Sequence, residues 1–167
     1  MVDFFAQSDA EREIFGNTYS RSPKRTELLH SFVIGDIKRN NPDVVIESEK
    51  EISYGFGYSK KHDIVVNDKN VVELKFIESK FDKNANNYLE GELGRSVIVE
   101  SSGRKFYSLT FLRKKSLNND KSINKIQKYN FLKNKTVYFY DDDNLEYTKL
   151  IGDEYDEIIR KISFPEE

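Results

Sequence analysis

The chain has 167 residues, 37% of them apolar and 34% charged, with 12 Phe and 10 Tyr. That is enough for one core, and a single domain over 1–167, with its core at about 22–140, is expected. The absence of cysteine excludes disulfides, thiolate zinc sites, iron–sulfur clusters and a cysteine nucleophile, and two histidines argue against a histidine-rich metal site.

The opening MVDFFAQSDAERE lacks the basic and apolar regions of a signal peptide, and no run approaches the ~18–20 apolar residues of a membrane helix. A cytoplasmic protein is expected. A short helix is predicted over 6–15. Ser22-Pro23 reads as a helix start, since Ser can cap and Pro suits the first helical position. Leu28, Leu29, Phe32, Val33 and Ile37 then recur at helical spacing, predicting a helix over 23–39 that Asn40-Asn41-Pro42 ends.

VVIESEKEIS within 43–53 reads as a strand and YGFGYSKK as a Gly-containing turn. HDIVV, NDKN and VVELKFIE read as strand, turn and strand. Leu89, Leu93 and Val97 predict a helix over about 84–101, with a hairpin of SVIVE against KFYSLTF as the alternative. KFYSLTFL is a strand, a helix runs from Asp120 to about Leu132, TVYFY is a strand, DDDN a turn and EYDEIIRKI a last helix. This order predicts an α/β (α+β) domain with a mixed central sheet flanked by helices.

Chemistry concentrates on the second hairpin. On the strand Val71–Phe76, Glu73 and Lys75 share one face while Val72, Leu74 and Phe76 share the other. If Asn67-Asp68-Lys69 is a three-residue loop, Val66 opposes Asn70 and Asp63 opposes Glu73, with Cβ atoms ~4.5–5.5 Å apart. A two-residue loop would set Asp63 against Leu74, so the odd loop is predicted. Two carboxylates so close suit a divalent cation, and Lys75 beside them suits a developing phosphate charge. The same Asp-x9-Glu-x-Lys spacing recurs at Asp68, Glu78 and Lys80, but only the Asp63 set sits in Val/Ile/Leu strands. A cross-strand surface salt bridge is the plain alternative. Alternation turns His62 away from Asp63, so it reads as a packing or surface histidine.

Helix, strand, a hairpin bearing Asp63 and Glu73-Leu74-Lys75, then helix and strand: over about 22–113 this resembles the PD-(D/E)XK nuclease superfamily, the restriction-endonuclease-like fold. His62 stands where that family usually has proline. The resemblance implies a metal-dependent endonuclease acting on DNA, with RNA as the alternative polymer and an inactive binding module as the alternative function. It implies Mg²⁺ or Mn²⁺ held by Asp63, Glu73 and the Leu74 carbonyl, with Lys75 assisting the attacking water and Glu27 as an auxiliary carboxylate. A homodimer or partner subunit follows from the need to cut two strands.

Residues 104–135 hold ten Lys/Arg and one acid, and 136–167 hold three and ten. Such segregation predicts a basic region facing a polyanion. Arg113, Lys114 and Lys115, then Lys121, Lys125 and Lys128 at helical spacing, are its nucleic-acid-binding candidates, together with Arg95. Tyr107 and Tyr129 are candidate stacking residues, with core packing the commoner role. Asp141-Asp142-Asp143 reads as a solvated turn.

Overall fold

In the computed structural model, residues 23–77, 81–113, 120–128, 130–141 and 146–165 are described. The predicted helix over 6–15 lies outside them. Helix α1 (Pro23–Asn40) buries Leu29, Val33 and Ile37, four residues apart and so on one stripe. Strands β1 (Ile46–Gly55), β2 (Tyr58–Val66) and β3 (Asn70–Ile77) follow. Next come helix α2 (Phe81–Ser101), strand β4 (Lys105–Arg113), helix α3 (Asp120–Lys128), strands β5 (Lys135–Asp141) and β6 (Glu146–Ile151), and helix α4 (Tyr155–Ser163).

The six strands form one mixed sheet in chain order. β1, β2 and β3 are antiparallel neighbours, β4 is parallel to β3, β5 is parallel to β4, and β6 is antiparallel to β5. The two parallel connections run through α2 and α3. These helices cover one face, where Val99 of α2 packs with Ile52, Val65, Val71 and Phe106, and Ile126 of α3 with Leu112, Val137 and Ile151. α1 and α4 cover the other, over Ile64, Val66, Val72, Leu74, Leu109 and Phe111. This is an α/β fold, as expected.

The β2–β3 loop is the odd one. Val66 pairs with Asn70, and Asn67 and Asp68 take φ of 50° and 55° while Lys69 N–H donates to the Val66 carbonyl (3.0 Å). Asn and Asp tolerate left-handed backbone better than most residues, so they suit this turn. The alternative hairpin for SVIVE is overturned: those residues complete α2.

Two expectations need correction. Tyr58–Lys61, read as turn, already pair with β1, which confines the turn to Phe56-Gly57. β6 was not expected at all. EYTKLI is short and polar at its start, and pairs only because β5 offers an open edge.

Gly152 ends β6 with φ of 87°, and a Cβ there would lie 2.3 Å from the Lys135 carbonyl oxygen and 2.8 Å from Thr136 Cα. Both obstacles are backbone, so they cannot turn aside. Gly152→Ala is expected to cost about 2–3 kcal/mol, a drop of roughly 5–10 °C in melting temperature; an unchanged melting curve would contradict this packing.

Candidate active site

β2 and β3 exchange their last strand pair at Ile64–Val72. Asp63 and Glu73 are the next position in that register, and there the ladder opens. The Leu74 N–H, instead of a β2 carbonyl, donates to Asp63 Oδ2 (2.7 Å). Asp63 is thereby clamped between the strands. From the α1 side His30 Nε2 approaches Asp63 Oδ1 to 3.9 Å. This nitrogen is buried and has no hydrogen-bond partner among the described residues.

Glu73 lies under α2 and is 3% exposed. Its Oε1 meets His62 Nδ1 at 2.7 Å, and Arg95 of α2 stands 3.9 Å from Oε2. His62 Nε2 in turn meets the Tyr54 hydroxyl at 2.6 Å. The two histidines of the chain thus attend the two carboxylates, one each.

His62 is a packed histidine, one of the two expected readings, but it packs on Glu73, where simple alternation would not carry it. Ser48 pairs with Ile64 and Ile52 with Lys60. Ser48 and Ile52, four residues apart, should share a face. Yet Ile64 packs under α1 and α4, and Ile52 packs under α2. The alternation therefore inverts between them, where Glu49 adopts φ of 55° at the position across from Asp63. This inversion carries His62 and Lys60 to the side of Glu73. No sequence pattern announces a left-handed glutamate in mid-strand.

Burial pushes the Asp63 carboxyl above its usual range; the Leu74 amide counters this, and the nearby Glu73 charge adds to it. Burial also pushes Glu73 upward, but the His62 hydrogen bond and the charges of Lys60 and Arg95 outweigh it, so Glu73 is held below its usual range. Burial lowers Lys60, against the attraction of Glu73. Lys60 and the half-buried Lys75 have no ion-pair partner among the described residues. Two carboxylates are therefore ringed by three cations, Lys60, Lys75 and Arg95, a local excess that suits a phosphate.

Comparison with protein-family models, curated proteins and solved structures finds no match to this chain. The chemistry of the site has to be read from its own geometry.

α2 is held over the sheet by a second polar cluster. In register, Glu73 lies beside Ser108 and Ser108 beside Lys135. Glu92, 1% exposed, spans the latter two: it accepts from Ser108 Oγ (2.6 Å) and pairs with the Lys135 ammonium. Arg95, three residues on, is carried over Glu73 by this anchor. The spacing of Tyr88, Glu92, Arg95 and Val99 is a helix stripe with polar members, a pattern that reads from sequence as a solvated face.

Other expected site residues lie elsewhere. Glu27 is exposed on α1, one turn before His30. Among the described residues no group of three or more His, Asp or Glu side chains is drawn together to hold a metal, so Glu27 does not complete a carboxylate trio. Among the described residues of the basic segment, three cations are already engaged within the fold. Arg113 is 2% exposed with its guanidinium over the Tyr140 ring (5.6 Å), Lys135 is buried on Glu92, and Arg104 pairs with Asp68 (3.0 Å). Arg113 and Lys135 are thus taken into the fold and Arg104 into a surface ion pair, which composition cannot reveal. Lys125 and the exposed Lys128 lie on α3, which packs on α2 and β6. The side chain of Lys121, and Lys114 and Lys115 entirely, lie outside the described residues, as do Tyr129 and most of Asp141-Asp142-Asp143. Tyr107 is in the core.

Two predictions follow from the electrostatics. In the presence of EDTA, Asp63→Asn is expected to melt above wild type at pH 7. A carboxyl whose folded pKa is raised loses stability as pH rises through that value, so the gain should shrink as pH falls below the usual carboxylate range. A wild-type-like melt at both pH values would refute the burial penalty. Glu92→Gln leaves the Lys135 ammonium buried without its counter-charge and is expected to cost about 3–5 kcal/mol in urea unfolding, whereas Glu92→Leu combined with Lys135→Met recovers most of that loss.

Proposed function

We propose that the chain is a metal-dependent nuclease acting in the cytoplasm, hydrolysing phosphodiester bonds in DNA at Asp63, Glu73 and Lys75. The observation that carries this reading is the opening of β2 from β3 at Asp63 and Glu73, with Asp63 clamped on the Leu74 amide. The order of helix, antiparallel strands, crossover helix and parallel strand supports it, because it is the order that the PD-(D/E)XK resemblance implies.

The donor set is compatible with Mg²⁺ or Mn²⁺. Asp63 Oδ1, Glu73 Oε2 and the Leu74 carbonyl are hard oxygen donors, the type these ions take. The buried, unsatisfied His30 Nε2 faces Asp63 from the other side, and a hydrated ion would supply it a partner through water. When bound, such an ion polarises a phosphate oxygen and acidifies a water.

The chain's own residues do the rest. The Leu74 N–H fixes Asp63. His62 and Arg95 keep Glu73 ionised despite its burial. Lys75, two residues along β3, orients the attacking water and offsets charge growing on the phosphate, while Lys60 and Arg95 hold the substrate's other oxygens. Glu27 has at most an outer role.

A second reading keeps nucleic-acid binding without cleavage. It is favoured by Glu73 already having His62 on one oxygen and Arg95 near the other. One assay separates the two: plasmid DNA, single-stranded DNA and RNA are incubated with Mg²⁺, Mn²⁺ or EDTA. Wild type should cut DNA only with metal, and Asp63→Ala and Lys75→Ala should each lose on the order of 10²–10³ in rate. An inert wild type that still binds nucleic acid decides for the binding module, and preferential cutting of RNA changes the polymer.

A further inference from the structure

We infer that the β1–β2 hairpin is an arm that engages nucleic acid, with Phe56 at its tip stacking on a nucleobase of the strand held at the Asp63–Glu73 site; this rests on the reading of that site as one that handles nucleic acid. β1 and β2 pair from Ile46–Val66 out to Gly55–Tyr58, but β3 supports β2 only over Ile64–Val66. Beyond Asp63 the hairpin is therefore a two-stranded ribbon flanking the open end of the site.

Its tip is built against local preference. Gly55, Phe56 and Gly57 all have positive φ (91°, 50° and 75°). Such a turn calls for Gly, Asn or Asp. An aromatic residue in left-handed backbone is an outlier, and strain of this kind gathers where structure serves binding. Phe56 is also fully exposed, the most exposed large apolar residue among those described. Among the described residues none stacks on its ring.

The arm is tied to the site by a continuous set of contacts. Glu73 binds His62, His62 binds Tyr54, and the Tyr54 ring lies 6.1 Å from that of Tyr58 beside the tip. Lys60, on the same face of the ribbon as His62, adds a cation between tip and carboxylates. A ligand that meets this surface offers anionic charge to Lys60 and a flat apolar ring to Phe56, one arm's length apart. A nucleic-acid strand does both: its phosphates are anionic, and every base has a face on which an aromatic ring can stack. From Asp63 to Phe56 the ribbon spans at most ~23 Å, or about seven nucleotides at ~3.4 Å per step.

The chain contains no tryptophan, so Phe56→Trp introduces a single fluorescent reporter. The full-length variant is titrated in EDTA, so that nothing is cut, with duplex DNA, single-stranded DNA, RNA and anionic phospholipid vesicles. Phe164→Trp, at an exposed position just past the end of α4, is the control. Quenching at position 56 by an oligonucleotide, absent at position 164, is expected. Phe56→Ala should bind that oligonucleotide about 5- to 100-fold more weakly while melting like wild type. Oligonucleotide binding with no quenching at 56 and unchanged affinity in Phe56→Ala overturns the arm but leaves the nuclease reading to its metal-dependent assay. Quenching by vesicles alone, or by raising protein concentration alone, overturns it in favour of a membrane surface or a second copy of the chain. Quenching by oligonucleotide in a protein that never cuts keeps the arm and removes the nuclease.

Discussion

The arrangement depends on one hydrogen bond, from the Leu74 N–H to Asp63. Where β2 leaves β3, a buried backbone donor would otherwise be orphaned, which costs more than a typical hydrogen bond contributes. A carboxylate takes the place of the missing strand carbonyl. The sheet can therefore open without losing its accounting, and the opening leaves room for β1 and β2 to run on as a ribbon. The same bond holds Asp63 at the seam between the two faces, so that His30 reaches it from the α1 side while Glu73 faces α2.

Around that seam, charge is balanced by position rather than by number. Burial alone would neutralise both carboxyls. Glu73 escapes because His62, Lys60 and Arg95 surround it; for Asp63 the Leu74 amide and the weaker pull of His30 and Lys75 do not offset burial, and it is pushed the other way. Two like groups in contact with different environments acquire different proton affinities, an arrangement often found where acid–base or metal chemistry occurs. The anchor beneath α2 serves this arrangement. The Glu92–Lys135 pair costs desolvation and adds little net stability compared with apolar packing, but it fixes the helix that presents Arg95.

The strands bearing Asp63, Glu73 and Lys75, the three-residue loop between them and the α/β order of elements were legible, because alternation and turn chemistry are local properties. The partners of individual basic residues were not legible, for the opposite reason. Arg104, Arg113 and Lys135 form a charge run in one dimension, but three dimensions distribute them to Asp68, to the Tyr140 ring and to Glu92. β6 escaped notice because a short edge strand owes its existence to the neighbour it pairs with.

By itself the sequence determined which residues could form a carboxylate pair with a lysine beside it, since the three-residue loop sets Asp63 and Glu73 at the same level of the hairpin and a strand's period of two puts Lys75 on the face of Glu73. Only the tertiary structure decided what surrounds that pair. His30 arrives on α1, Arg95 on α2, and His62 and Lys60 through an inverted alternation at Glu49; each placement depends on long-range packing or on a backbone angle that no local pattern encodes. Packing across a sheet is a property of the whole chain, and it is there that a plain hairpin became a site.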